Sequence, residues 1–167
     1  SSFAIDFPNG GRSFFIGNII QHGPKGGNGT AISYAAEGAE NPVQELFVVN
    51  NTCVSERQTA ISFLRVAGHP ARVSVVNNLV VGFKSVMSGE GGAADNPPTD
   101  HPGFADSAGY DYRLLSTSAA VGAGVDPGRA EDDDLMPAFY YKDSLGSEPR
   151  PRKAKPDLGA CPLVGGR

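Results

Sequence analysis

Three charged residues fall near one point of three similar segments. Glu37 follows "AISY" by three residues, Arg65 follows "AISF" by two and Glu90 follows "SVMS" by two. If those segments stack at strand spacing, the three side chains come within about 5 to 10 Å of one another. Two carboxylates so placed can support glycoside hydrolysis, one as acid and the other as base or nucleophile. An arginine beside them lowers their pKa or, in an elimination, helps remove the proton next to a uronate carboxylate. The same charges also fit an alternating-charge ladder that relieves repulsion between stacked segments.

A second group, His22, Lys25 and Lys84, lies on the turn that follows an asparagine column, with Lys84 in the column of Pro24. Such a basic group suits an acidic sugar chain, and Tyr34 offers a ring for a sugar to stack on. Solvated turn lysines and a core tyrosine are the plainer alternative. Glu131, Asp132, Asp133 and Asp134 supply oxygens for calcium but lack the Asp-x-Asp-x-Asp-Gly spacing that wraps a chain around the ion. No other cofactor is expected. His69 and His101 each precede a proline and have no second ligand in the sequence, so they carry no role.

The elements that must hold these residues repeat. "FFIGNIIQ", "LFVVNNTCV" and "VSVVNNLVV" align so that Asn18, Asn51 and Asn78 share a column, at steps of 33 and 27 residues. Gly17, Asn50 and Asn77 precede them. Phe15, Val48 and Val75 form an apolar column upstream, and Ile20, Cys53 and Val80 form one downstream. After a loop of variable length, Ile32, Ile61 and Val86 align. Each repeat therefore reads as two or three short strands that cannot bury their apolar face alone, so neighbours stack and insertions leave as surface loops. The recurrent asparagine becomes a ladder of amides bonded between neighbouring repeats.

Composition agrees: 22 glycines, 13 prolines and no tryptophan in 167 residues favour short strands and turns. The segments between strands are too short and polar for crossover helices. An antiparallel sandwich would give alternation without a registered asparagine column. A net charge of −4 with no basic stripe argues against nucleic acid, and no apolar run reaches the length of a membrane span. Cys53 sits in a core column and Cys161 in a tail expected to be exposed, so a disulfide between them is not expected. Asn28 and Asn50 match glycosylation acceptors by pattern alone.

With "GNIIQ", "NNTCV", "NNLVVG", "ISYAAEG", "YDYRLLSTSAAVGAGV" and the closing "KPDLGA", residues 3–125 and 155–160 resemble the bacterial pectate-lyase-like β-helix family. The resemblance implies an all-β, right-handed parallel β-helix over residues 1–127, shortened at its N-terminus and preceded by coils of a longer parent chain. Phe104, Leu114 and Val121 supply apolar contacts of a last irregular coil. Residues 128–167 then form an extension packed along the solenoid, pinned by Phe139, Tyr140, Tyr141 and Leu158. It further implies a secreted or periplasmic protein whose partner is a polysaccharide, processed by lysis or hydrolysis. The alternatives are a solenoid that binds a glycan without cleaving it and a structural segment.

Overall fold

A computed structural model describes residues 3–25, 27–90 and 98–163. Among them the regular elements are all strands. In chain order β1 (Ile5–Phe7), β2 (Arg12–Ile16) and β3 (Ile19–His22) come first. They are followed by β4 (Thr30–Tyr34), β5 (Glu45–Val49) and β6 (Thr52–Ser55), then by β7 (Ser62–Val66), β8 (Arg72–Val76), β9 (Leu79–Val81) and β10 (Ser85–Gly89). Every third strand joins the same sheet, giving β1-β4-β7-β10, β2-β5-β8 and β3-β6-β9, all parallel. The chain passes through the three sheets in turn, one circuit after another. The parallel pairing rules out the antiparallel sandwich.

One apolar cluster is shared by the three sheets: Ile32 and Leu64 from the first, Leu46 and Val48 from the second, Cys53 and Val80 from the third. The columns read from the sequence hold, with Phe15, Val48 and Val75 in register and Ile20, Cys53 and Val80 likewise. Ile61 and Val86 depart from their expected column. Leu64, not Ile61, pairs with Ile32, and Met87 follows it, leaving Ile61 largely exposed. The corner before this sheet spans 23–29, 56–61 and 82–84 in successive circuits, so its variable length shifts the apparent alignment.

The corner between the second and third sheets keeps two residues in every circuit, and its asparagines divide their work. Asn50 (φ +51°) and Asn77 (φ +57°) turn the chain in the left-handed region, as Gly17 (φ +71°) does in the first circuit; asparagine tolerates that region better than other non-glycine residues. The second residue of each pair builds the ladder. Asn51 Oδ1 accepts from the Asn18 backbone N–H and Nδ2, and Asn78 Oδ1 accepts from the same two groups of Asn51.

The segment after β10 covers two of the sheets from outside. β11 (Phe104–Asp106) and β12 (Asp111–Leu114) form an antiparallel hairpin, and Phe104, Leu114 and Val121 pack on Val54 and Leu79, as expected of them. Phe104 and Leu114 do so as part of a separate hairpin and Val121 in the turns that follow it, none of them in a strand of the parallel sheets. β13 (Arg129–Ala130) and β14 (Asp133–Asp134) bring Ala130 and Leu135 onto Phe47 and Val49. β15 (Phe139–Lys142) and β16 (Gly146–Pro149) form a third hairpin. Within the aromatic island only Tyr140 is buried, while Phe139 and Tyr141 face solvent.

The left-handed asparagines hold the chain's later part. Asn50 Nδ2 donates to the carbonyls of Asp157 and Gly159, and Asn77 exchanges two bonds with the Val125 backbone. Gly159 N–H donates to the Asn77 carbonyl and Ala160 N–H to Thr52 Oγ1. The buried Arg150 guanidinium donates to the carbonyls of Asp157, Gly159 and Ala160. Cys161, expected to be exposed, is buried by this docking; Cys53 is buried too, and both are free thiols. Of the Gly/Pro-rich stretch 91–103, residues 91–97 lie outside the described residues.

Candidate functional site

Glu37, Arg65 and Glu90 are all exposed, but at different levels of their circuits. Arg65 lies within β7, in register with Ser33 and Ser88. Glu90 follows β10, donating its N–H to the Val66 carbonyl, and its carboxylate lies 3.4 Å from His69 Nδ1. Glu37 follows β4 in the next turn, its N–H on the Pro8 carbonyl. Among the described residues no ion pair joins the three. An alternating-charge row does occur elsewhere: Arg12, Glu45 and Arg72 are in register across β2, β5 and β8, with Arg12 2.6 Å from Glu45.

The second group is divided as well. His22 is buried, its Nδ1 3.2 Å from Ser55 Oγ and its ring stacked on Phe83 at 5.8 Å between centroids. Lys25 and Lys84 are exposed in corners of the first and third circuits, with the 56–61 corner of the second between them. Tyr34 is fully buried and donates its hydroxyl toward the Gly11 carbonyl and Gln44 Oε1, so no polymer can stack on it.

Burial, followed by the nearby Arg57 charge, lowers the His22 pKa below its ordinary 6.5. An unfolded chain then takes up the proton first, so the stability this ring contributes is complete above about pH 6.5 and is lost as pH falls through the folded value. Chemical denaturation at a series of pH values should show the loss setting in as pH falls below about 6.5 in the wild type and a reduced loss in His22→Gln.

The acidic run at 131–134 is the turn and second strand of the β13–β14 hairpin. Glu131 pairs with Arg12 at 2.8 Å and Asp134 with Arg152 at 2.9 Å. Each carboxyl is held below its ordinary range, Glu131 chiefly by Arg12, and Asp134 chiefly by the Met136 backbone N–H and then by Arg152. Among the described residues no three His, Cys, Asp or Glu side chains converge as a metal site.

A concave region lies elsewhere, where the outer covering stops short. Over the second and third circuits the outer face of the third sheet is buried by Phe104, Leu114 and Leu158. At the first circuit that face is only partly covered, and Gly17, Asn18, Ile19 and Gln21 floor a cleft of about 1100 Å³. One wall is the turn of the β11–β12 hairpin, Gly109 to Arg113; the other is the β15–β16 hairpin with Tyr140 to Asp143 and Glu148. Two tyrosines present large exposed rings, Tyr110 at 58% and Tyr141 at 44% of full exposure.

Four of the cleft's five charged side chains are tied in pairs. Arg113 grips Asp111 through Nε at 2.8 Å and Nη2 at 2.5 Å. Glu148 accepts from the Tyr140 hydroxyl at 2.5 Å and from the Lys142 ammonium. These bonds hold Asp111 and Glu148 below the ordinary carboxylate range, while Glu148 pushes the Tyr140 hydroxyl up to about 12. A glycosidase acid needs the opposite, a carboxyl kept protonated near neutral pH. Cys161 lines the cleft, but burial pushes its thiol up to about 11, which removes nucleophilic character at neutral pH. The arrangement can stack, donate and accept, and its two paired carboxylates stay ionised.

The sequence reading missed this cleft, although "YDYR" at 110–113 and "FYYKD" at 139–143 concentrate tyrosines beside opposite charges. No family model matches the chain, and neither a curated protein nor a solved structure matches it.

Proposed function

We propose that the three stacked sheets form a right-handed parallel β-helix of the pectate-lyase-like kind, and that the chain binds a linear glycan in the first-circuit cleft. The observation that carries this reading is the pair of exposed rings, Tyr110 and Tyr141, set among fixed hydrogen-bonding groups along one side of the sheets. Sugar rings present apolar C–H faces to aromatic rings and hydroxyls to carboxylates, amides and guanidinium groups, and this cleft offers both kinds of partner. Binding without cleavage is favoured because Asp111 and Glu148 are held ionised and because Glu37, Arg65 and Glu90 lie outside the lining. Such a polymer is met in the cell envelope or beyond it, so the same reading places the protein in a secreted or periplasmic setting.

Affinity electrophoresis against a panel of polysaccharides tests the reading. Retardation by at least one polymer is expected, with Tyr110→Ala and Tyr141→Ala each weakening it about tenfold, the loss of one stacking ring. Arg65→Ala and Glu37→Ala should bind as the wild type does. Failure of every polymer to retard the chain, or tyrosine variants that bind unchanged, would refute it; new reducing ends would replace binding with processing.

A further inference from the structure

We infer that the cleft selects a neutral glycan over a uronate-bearing one, an inference that rests on the glycan reading above. Its two cations already have carboxylate partners on their own hairpins. Asp111 holds Arg113 through both oxygens, and Glu148 takes Lys142 on one oxygen and the Tyr140 hydroxyl on the other. A uronate seeking the edge of Arg113 that Asp111 holds must displace that carboxylate, and one approaching the guanidinium's other N–H groups meets a cation whose charge Asp111 already compensates. Asp143 adds a third negative charge, with the Tyr141 hydroxyl 3.3 Å away as its hydrogen-bond partner. Among the described residues, two cations against three carboxylates leave the lining at −1, within a chain of −4.

A neutral pyranose avoids these costs. It lies on Tyr110 or Tyr141 and offers its hydroxyls to carboxylate oxygens that keep their cations. Nor do the residues that suggested an acidic polymer change the balance, since His22, Lys25 and Lys84 are absent from the lining.

Titration calorimetry of the full chain with a neutral glucan, a neutral mannan and polygalacturonate of matched length, at low and high sodium chloride, separates the possibilities. A neutral polymer should bind with an affinity that changes less than about twofold with salt. Polygalacturonate should bind about tenfold more weakly or not at all, and Asp143→Lys should narrow that difference, with Asp143→Asn in between. Circular dichroism checks that both variants fold. Polygalacturonate binding as tight as the neutral polymers, or a difference that Asp143→Lys leaves unchanged, overturns the charge argument while sparing the glycan reading. Binding to none of the three, alongside failure of the wider panel, overturns both.

Discussion

Asn51→Ala should lower the free energy of folding by about 4 kcal/mol, seen as a urea midpoint shifted down by about 2 M. The side chain is fully buried and belongs to both neighbouring circuits. Its Oδ1 accepts from the Asn18 N–H at 2.9 Å and Asn18 Nδ2 at 3.1 Å, and its Nδ2 donates to the Phe15 carbonyl at 2.8 Å and Asn78 Oδ1 at 2.9 Å. Alanine leaves several of those groups without a partner, and each one that stays buried costs about 1 to 3 kcal/mol. Asn18→Ala is the control. Asn18 is only half buried and its amide lies on one rung, so its loss should cost about 1 kcal/mol. Equal effects from the two variants would mean that the ladder does not act between circuits.

Asp157→Ala should cost about 3 kcal/mol and loosen the docked segment ahead of the sheets, read by hydrogen exchange at residues 156–163. The carboxylate is wholly buried, accepting from the Gly122 N–H at 2.8 Å, the Leu163 N–H at 2.8 Å and the Lys153 ammonium at 2.7 Å. Burial alone raises its pKa, yet those three donors together hold it below the ordinary 3.8. A depressed folded value means that its contribution is complete above about pH 3.8 and is lost as pH falls through the folded value. The wild type should therefore lose stability in that acid range, and Asp157→Ala should show a shallower decline there. Parallel pH profiles would remove Asp157 as the cause.

The parallel sheets were legible where the spacing between strands is constant. Gly17-Asn18, Asn50-Asn51 and Asn77-Asn78 fill one two-residue corner in all three circuits, so the apolar columns on either side of them fell into register. Ile61 misled because the corner before it changes length, and "AISF" resembles "AISY" although Leu64 is the true partner of Ile32. Glu37, Arg65 and Glu90 inherited that shift. The cleft was illegible for a different reason: its walls are hairpins brought to the first circuit by a chain that docks on Asn50 and Asn77 from far along the sequence. A local pattern of tyrosines and charges marks such walls but does not say which surface they meet.

The docked segment also bears on how the molecule would respond to a pulling force. Bonds between parallel strands point from one circuit to the next, so tension along that direction would load one row at a time and open the rows in sequence. The later chain crosses those rows: Glu131 grips Arg12 in the first circuit, Ala160 bonds Thr52 in the second and Gly159 bonds Asn77 in the third. Stretched along the same direction, these attachments would be sheared together instead of peeled singly. Mechanical resistance would then reside in the strap, and the sheets would part only after it had slipped.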